Sequence, residues 1–150
     1  MAQSLAKNLI HLIYSTKQRA ACLDESIRPD LYAYKAGILQ NWDSPAIIIG
    51  GMPDHIHVLF VLSKNQSLVK VVEEVKKSSS KWLKQAAPTL REFQWQNGYG
   101  AFSVSPSNVA TVKRYIQNQE AHHRKKSFQE EFREFLQRHE VAFDEHYVWD

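Results

Sequence analysis

The chain has one cysteine, Cys22, in 150 residues, which excludes an intramolecular disulfide and a four-thiolate zinc site. Long apolar runs are also missing. The longest, residues 46–49 and 58–62, fall far short of the roughly 20 residues a membrane helix needs. The first 14 residues have no cationic start, and Asn8 and His11 interrupt their apolar stretch. A secretory signal is therefore not expected, and a cytoplasmic location is. Five glycines and five prolines exclude a collagen, and no repeat, low-complexity tract or long linker divides the chain. Excess charge is scarce: 19 Lys and Arg against 16 Asp and Glu leave +3. That balance fits a polyanionic partner without demanding one, so any basic surface must come from local clustering. What is present is core material: 43% hydrophobic residues, with seven Phe, six Tyr and four Trp. One domain spanning residues 1–150 is expected, with a core over 5–123 and an extension over 127–150.

Residues 5–16 are apolar and β-branched and read as a strand. Asp24 is an N-cap candidate, and Ile27, Leu31, Tyr34 and Ile38 follow at spacings of four, three and four, an amphipathic helix ending near Trp42. Residues 46–49 are too short and too β-branched for a helix. The Gly50-Gly51-Met52-Pro53-Asp54 segment has turn chemistry, and 55–62 is a second strand, giving a hairpin placed mid-sheet. Ser67 caps a helix with Leu68, Val72, Val75, Trp82, Leu83 and Ala86 on its apolar face, Lys70, Lys76, Lys77, Lys81 and Lys84 on the other, and Pro88 as its stop. Residues 93–104 read as a strand or a broken pair. Ser105-Pro106 starts a helix striped by Val109, Val112 and Ile116 that runs to about His123. The tail opens with a helix carrying Phe128, Phe132, Phe135 and Leu136 and ends in an extended Tyr147-Val148-Trp149. The order β-α-β-β-α-β predicts an α+β, ferredoxin-like (RRM-like) antiparallel sheet with helices on one face, plus a C-terminal helical extension. The other face would be open to a partner.

The sharpest local signal is Asp54-His55-Ile56-His57-Val58. In a strand, His55 and His57 share one face and Ile56 and Val58 the other. Two adjacent imidazoles can hold a divalent ion, but two hydrogen-bonded histidines with no metal fit the spacing equally well. Tyr115 and Gln119 lie one helical turn apart and share a face; taken alone, Tyr115 reads as an ordinary core-edge aromatic, not a nucleophile. Lys113 and Arg114, with Arg124, Lys125 and Lys126, bracket Tyr115 and could hold phosphates or form a solvated face. His122 and His123 could be ligands, phosphate contacts or surface residues. His11, alone on the first strand, is expected to be a hydrogen-bonded packing residue.

Four segments in order carry a resemblance over nearly the whole chain: residues 11–17 (HLIYSTK), 52–57 (MPDHIH), 95–105 (WQNGYGAFSVS) and 112–119 (VKRYIQNQ). With them the sequence resembles the single-tyrosine HUH transposases, which move insertion sequences as single-stranded DNA, and most of all the REP-associated tyrosine transposases. The resemblance implies that His55, His57 and Gln119 bind Mg²⁺ or Mn²⁺ and that Tyr115 attacks the scissile phosphate, leaving a 5′-phosphotyrosine link. It further implies a homodimer with a joined sheet that recognises hairpins in single-stranded DNA. Imidazole ligands suit Mn²⁺ better than oxygen-loving Mg²⁺. A histidine-triad hydrolase would need a third histidine at position 59, where Leu59 stands. A non-catalytic module binding single-stranded nucleic acid would use aromatics such as Tyr99 or Phe102 and would not need the His55, His57, Tyr115 and Gln119 set.

Overall fold

A computed structural model describes residues 2–150. Strand β1 (Asn8–Ser15) leads through helix α1 (Arg28–Asn41) to β2 (Ala46–Met52) and β3 (His55–Leu62); α2 (Leu68–Ala86) then leads to β4 (Gly100–Val104). The sheet order is β2-β3-β1-β4, and every neighbouring pair is antiparallel. This is the expected ferredoxin-like arrangement. Three further helices follow: α3 (Val109–Gln117), α4 (Gln119–His123) and α5 (Phe128–Arg138). No helix among the described residues is long and apolar enough to cross a membrane.

The strand alternation divides two cores. Leu12, Tyr14, Ile56, Val58 and Phe60 face α1 and α2. Ile13 and Phe102 face the opposite way and pack with Phe128, Phe132, Phe135 and Leu136 of α5. The face expected to be open is therefore covered. At about 1.5–3 kcal/mol for each fully buried large apolar side chain, four such residues in α5 suffice to hold the extension onto the sheet. Ser127 caps α5, accepting from Glu130 N while the Glu130 side chain returns to the Ser127 backbone.

Glycine permits this covering at two points. A Cβ on Gly50 would meet Ile116 Cγ2 at 2.8 Å and the Ile116 carbonyl oxygen at 2.9 Å, and one on Gly100 would meet the Phe132 ring at 2.5 Å. Gly50 and Gly51 accordingly lie within β2 and not in the expected turn, and β2 is an edge strand, not a central one. Several other local expectations change. Asp24 does not cap α1, which starts at Arg28. Of the two readings of 93–104, the broken one holds, with one isolated bridge from Trp95 to Thr16 before β4. The single helix expected after Pro106 is interrupted at Asn118. The terminal Tyr147-Val148-Trp149 lies in turns closed by Asp144, not in an extended strand.

The buried stripe of α1 contains Lys35 where the sequence suggested Tyr34; Tyr34 is exposed and stacks on Trp82. Lys35 is fully buried, and its Nζ donates to the Tyr14 hydroxyl and to Ser79 Oγ. Burial, and secondarily the Lys76 charge, hold its amine well below the usual lysine range. A lysine with a lowered folded pKa binds fewer protons in the folded than in the unfolded state, so its burden is greatest at low pH and fades as pH rises toward the unfolded value. Lys35→Met should therefore raise the urea midpoint, with a larger gain at pH 7 than at pH 9.5. Equal gains at both pH values would show that the amine is not buried at a proton's expense.

Candidate metal and nucleophile site

The two-residue period of β3 sets His55 and His57 side by side on the α5 face, both fully buried. Each ring is anchored through Nδ1. Asp54 Oδ1 lies 2.7 Å from His55 Nδ1, and His11 Nε2 lies 2.8 Å from His57 Nδ1. Anchoring by the far nitrogen fixes ring orientation and tautomer, as it does at metal-binding histidines. His11 is the buried, hydrogen-bonded residue its isolation suggested, and the residue it bonds is His57.

Both Nε2 atoms face one carboxylate, Glu131 of α5. Its Oε1 is 2.9 Å from His57 Nε2 and 3.4 Å from His55 Nε2. Its Oε2 accepts from Gln119 Nε2 at 3.1 Å and from the Tyr115 hydroxyl. His123 Nε2 lies 3.2 Å from the same oxygen. Gln119 also places its Oε1 2.9 Å from His55 Nε2. The structure thus brings His55, His57, Tyr115 and Gln119 together within one chain, despite the helix break at Asn118.

Glu131 was not singled out from the sequence. It is three residues after Phe128 and four before Phe135, hence on the buried stripe of α5, where a carboxylate is costly unless fully partnered. An acidic residue on an aromatic stripe was the available signal.

The remaining candidates separate. His123 joins the Glu131 carboxylate, whereas His122 is exposed and lies against the Tyr115 ring at 4.4 Å between centroids. Lys113, Arg114, Arg124 and Lys125 are exposed, and Lys126 is half-buried and paired with Glu134 at 2.5 Å. Phe102 is buried against Phe135 and His139 and offers no stacking surface; Tyr99 is only half-buried.

Electrostatics follow from burial and one negative charge. Burial opposes ionisation of Glu131, but hydrogen bonds from His123, His55 and His57 outweigh it and hold the carboxyl far below its usual range. Burial also disfavours charge on His55, yet the Asp54 and Glu131 carboxylates raise it to about 9. His57 is pushed down, mainly by burial, and His11 is lowered by burial and by His57. Burial and the adjacent Glu131 charge push the Tyr115 phenol well above its usual value. Tyr115 is thereby held as the neutral phenol.

Donor atoms of His55, His57 and Glu131 lie within 4.8 Å of one another, and Gln119 Oε1 adjoins them. Two imidazole nitrogens with carboxylate and amide oxygens form a mixed set that fits a divalent first-row ion such as Mn²⁺. A metal ion would take the Nε2 atoms that here donate to Glu131, so binding displaces their hydrogens while Asp54 and His11 go on holding the rings through Nδ1.

Comparison with known proteins identifies the family. The family described as "Transposase IS200 like" matches residues 4–119. The ISDra2 transposase TnpA of Deinococcus radiodurans is 27% identical over 114 residues, covering 73% of this chain and 81% of that protein. A crystal structure described as a transposase from Deinococcus radiodurans R1 superimposes with a TM-score of 0.62 at 24% identity, covering 79% of this chain and 98% of that one. A REP-associated tyrosine transposase bound to a REP hairpin gives a TM-score of 0.61 at 13% identity, covering 82% of this chain and 73% of that one.

Proposed function

Because this chain belongs to the IS200-like transposase family, we propose that it cleaves and rejoins single-stranded DNA beside a hairpin through a covalent link to Tyr115. The observation that carries the reading is the convergence of the Tyr115 hydroxyl, Gln119 and the anchored His55 and His57 on the single Glu131 carboxylate. A nucleophile and a charge-binding pocket at one point is what phosphoryl transfer requires.

In the reaction, the Tyr115 oxygen bonds to the scissile phosphorus as the bond to the 3′ oxygen breaks. The phenolic proton passes to solvent as the oxygen attacks, and the departing 3′ oxygen takes up a proton from solvent, so Glu131, held far below its usual carboxyl range, stays a carboxylate throughout. The 5′-phosphotyrosine keeps the bond energy, so a second 3′-hydroxyl can reverse the step and rejoin the strand. His55, His57, Gln119 and Glu131 would hold Mg²⁺ or Mn²⁺, which when bound supplies Lewis-acid polarisation of the phosphate and offsets the Glu131 charge that disfavours a phenolate. Lys113, Arg114, Arg124, Lys125 and Lys126 would hold flanking phosphates. The same reading makes the active species a homodimer, two copies doubling the basic surface.

The test incubates a 5′-labelled or 3′-labelled hairpin strand with protein and Mn²⁺. The 3′-labelled strand should become covalently attached to protein in a denaturing gel, and the 5′-labelled strand should be released with a free 3′-hydroxyl. Tight DNA binding with no adduct in any divalent metal would instead favour a non-catalytic module.

Metal affinity should depend on pH. Binding must displace the proton that His55 holds up to about 9, so apparent Mn²⁺ affinity should rise steadily from pH 6.5 to 8.5 and level off above about 9. Calorimetric titration of Mn²⁺ alone reads this directly, and a pH-independent affinity would remove His55 from the ligand set.

A further inference from the structure

A cavity of about 520 Å³ lies between α2 and the 94–99 segment, on the opposite face of the sheet from Glu131. Its volume suits a nucleotide-sized ligand. Its walls combine the aromatic rings of Trp95 and Tyr99 with the polar groups of Ser80, Asn97, Glu73 and Lys77. The Trp95 indole N–H is already donated to Ser79 Oγ at 3.1 Å, so Trp95 contributes an apolar wall, and half-buried Tyr99 contributes the accessible ring. Lys76 fixes the other wall, donating to the carbonyls of Gln96, Asn97 and Gly98 at 2.6, 3.1 and 2.9 Å.

Two placements say what enters. First, Lys70, Lys77, Lys81 and Lys84 are exposed on α2 at spacings of seven, four and three, so they form one basic stripe that passes the cavity mouth at Lys77. Second, the cavity wall reaches the sheet end that bears the Tyr115 site. Gln96 on its wall exchanges hydrogen bonds with Ser15, its N reaching Ser15 O at 2.9 Å and its Oε1 accepting from Ser15 N at 2.8 Å. Ser15 in turn is the register partner of His55. A strand lying on the α2 stripe can therefore turn around that edge into the site.

We propose that this cavity takes one unpaired nucleobase of the single-stranded DNA flanking the cleaved phosphate, stacked on Tyr99 with its phosphate on Lys77. The proposal rests on the reading of the chain as acting on single-stranded DNA. Glu73, the one carboxylate on the wall, is placed to accept from an exocyclic amino group, so cytosine, adenine or guanine fits better than thymine.

The test measures binding of a labelled hairpin strand with a single-stranded flank, intact and with one abasic site moved along the flank. With the wild-type protein, one abasic position should weaken binding about tenfold, the size of one lost stack. Tyr99→Leu should weaken the intact strand by a similar factor and lose its sensitivity to that position, whereas Tyr99→Phe should keep both. Lys77→Ala, at an exposed position that does not threaten folding, should weaken binding several-fold and lower the salt slope by about one. An unchanged abasic profile in Tyr99→Leu together with unchanged affinity and salt slope in Lys77→Ala, with the Tyr115 adduct still formed by wild type, overturns the pocket and leaves the function standing. Failure of the wild type to bind or attach the strand at all overturns both.

Discussion

Tyr115→Phe is expected to abolish the covalent protein–DNA adduct, with strand cleavage falling by about 10⁴-fold or more, the scale seen when an enzyme's nucleophile is removed. The substitution deletes one oxygen and keeps the ring that packs with Phe135 and His122. Glu131 retains His57, His123 and Gln119 as partners, so the lost hydrogen bond should cost folding only about 1 kcal/mol. DNA affinity should therefore remain near wild type. A denaturing gel and a binding titration on the same hairpin strand separate the two quantities. An adduct that persists in Tyr115→Phe would move the nucleophile to another residue.

His57→Ala should reduce cleavage about a thousandfold, corresponding to the several kcal/mol that a correctly held metal supplies at a phosphoryl centre. His57 joins His11 through Nδ1 and Glu131 through Nε2. His55→Ala should have a similar effect on cleavage. Both variants should still bind the hairpin strand, since the exposed basic residues are untouched. Each should also lose Mn²⁺ heat in a calorimetric titration, a readout independent of activity. Because truncation leaves Glu131 with one partner fewer in a buried setting, His57→Gln serves as a second variant that restores a hydrogen bond but not an imidazole. Full cleavage in either alanine variant would contradict the metal assignment.

How much of this was legible beforehand depends on the range of the interactions. The His55/His57 pairing on one face needed only the period of a strand. The cap at Ser67, the helix start after Ser105-Pro106 and the aromatic stripe of α5 needed only local spacing. Tyr115 and Gln119 were legible as neighbours one turn apart, although the break at Asn118 was not. Lys35 was misplaced because Tyr34 is the better apolar residue, and only the neighbouring Tyr14 and Ser79 make a buried amine tolerable. Gly50 and Gly51 read as turn residues because local sequence carries no record of α3 pressing on β2 at Ile116.

By itself, the sequence determined the β-α-β-β-α-β order, the two histidines facing one way and a tyrosine one turn from a glutamine, all of which follow from backbone periodicities of 2 and 3.6. Only the tertiary structure decided that α5 closes the second face of the sheet and delivers Glu131 to His57 across 74 residues of chain. The reason is physical. A buried carboxylate is stable only where several donors converge on it, and those donors come from β3, α3 and α4, elements whose meeting no local pattern encodes.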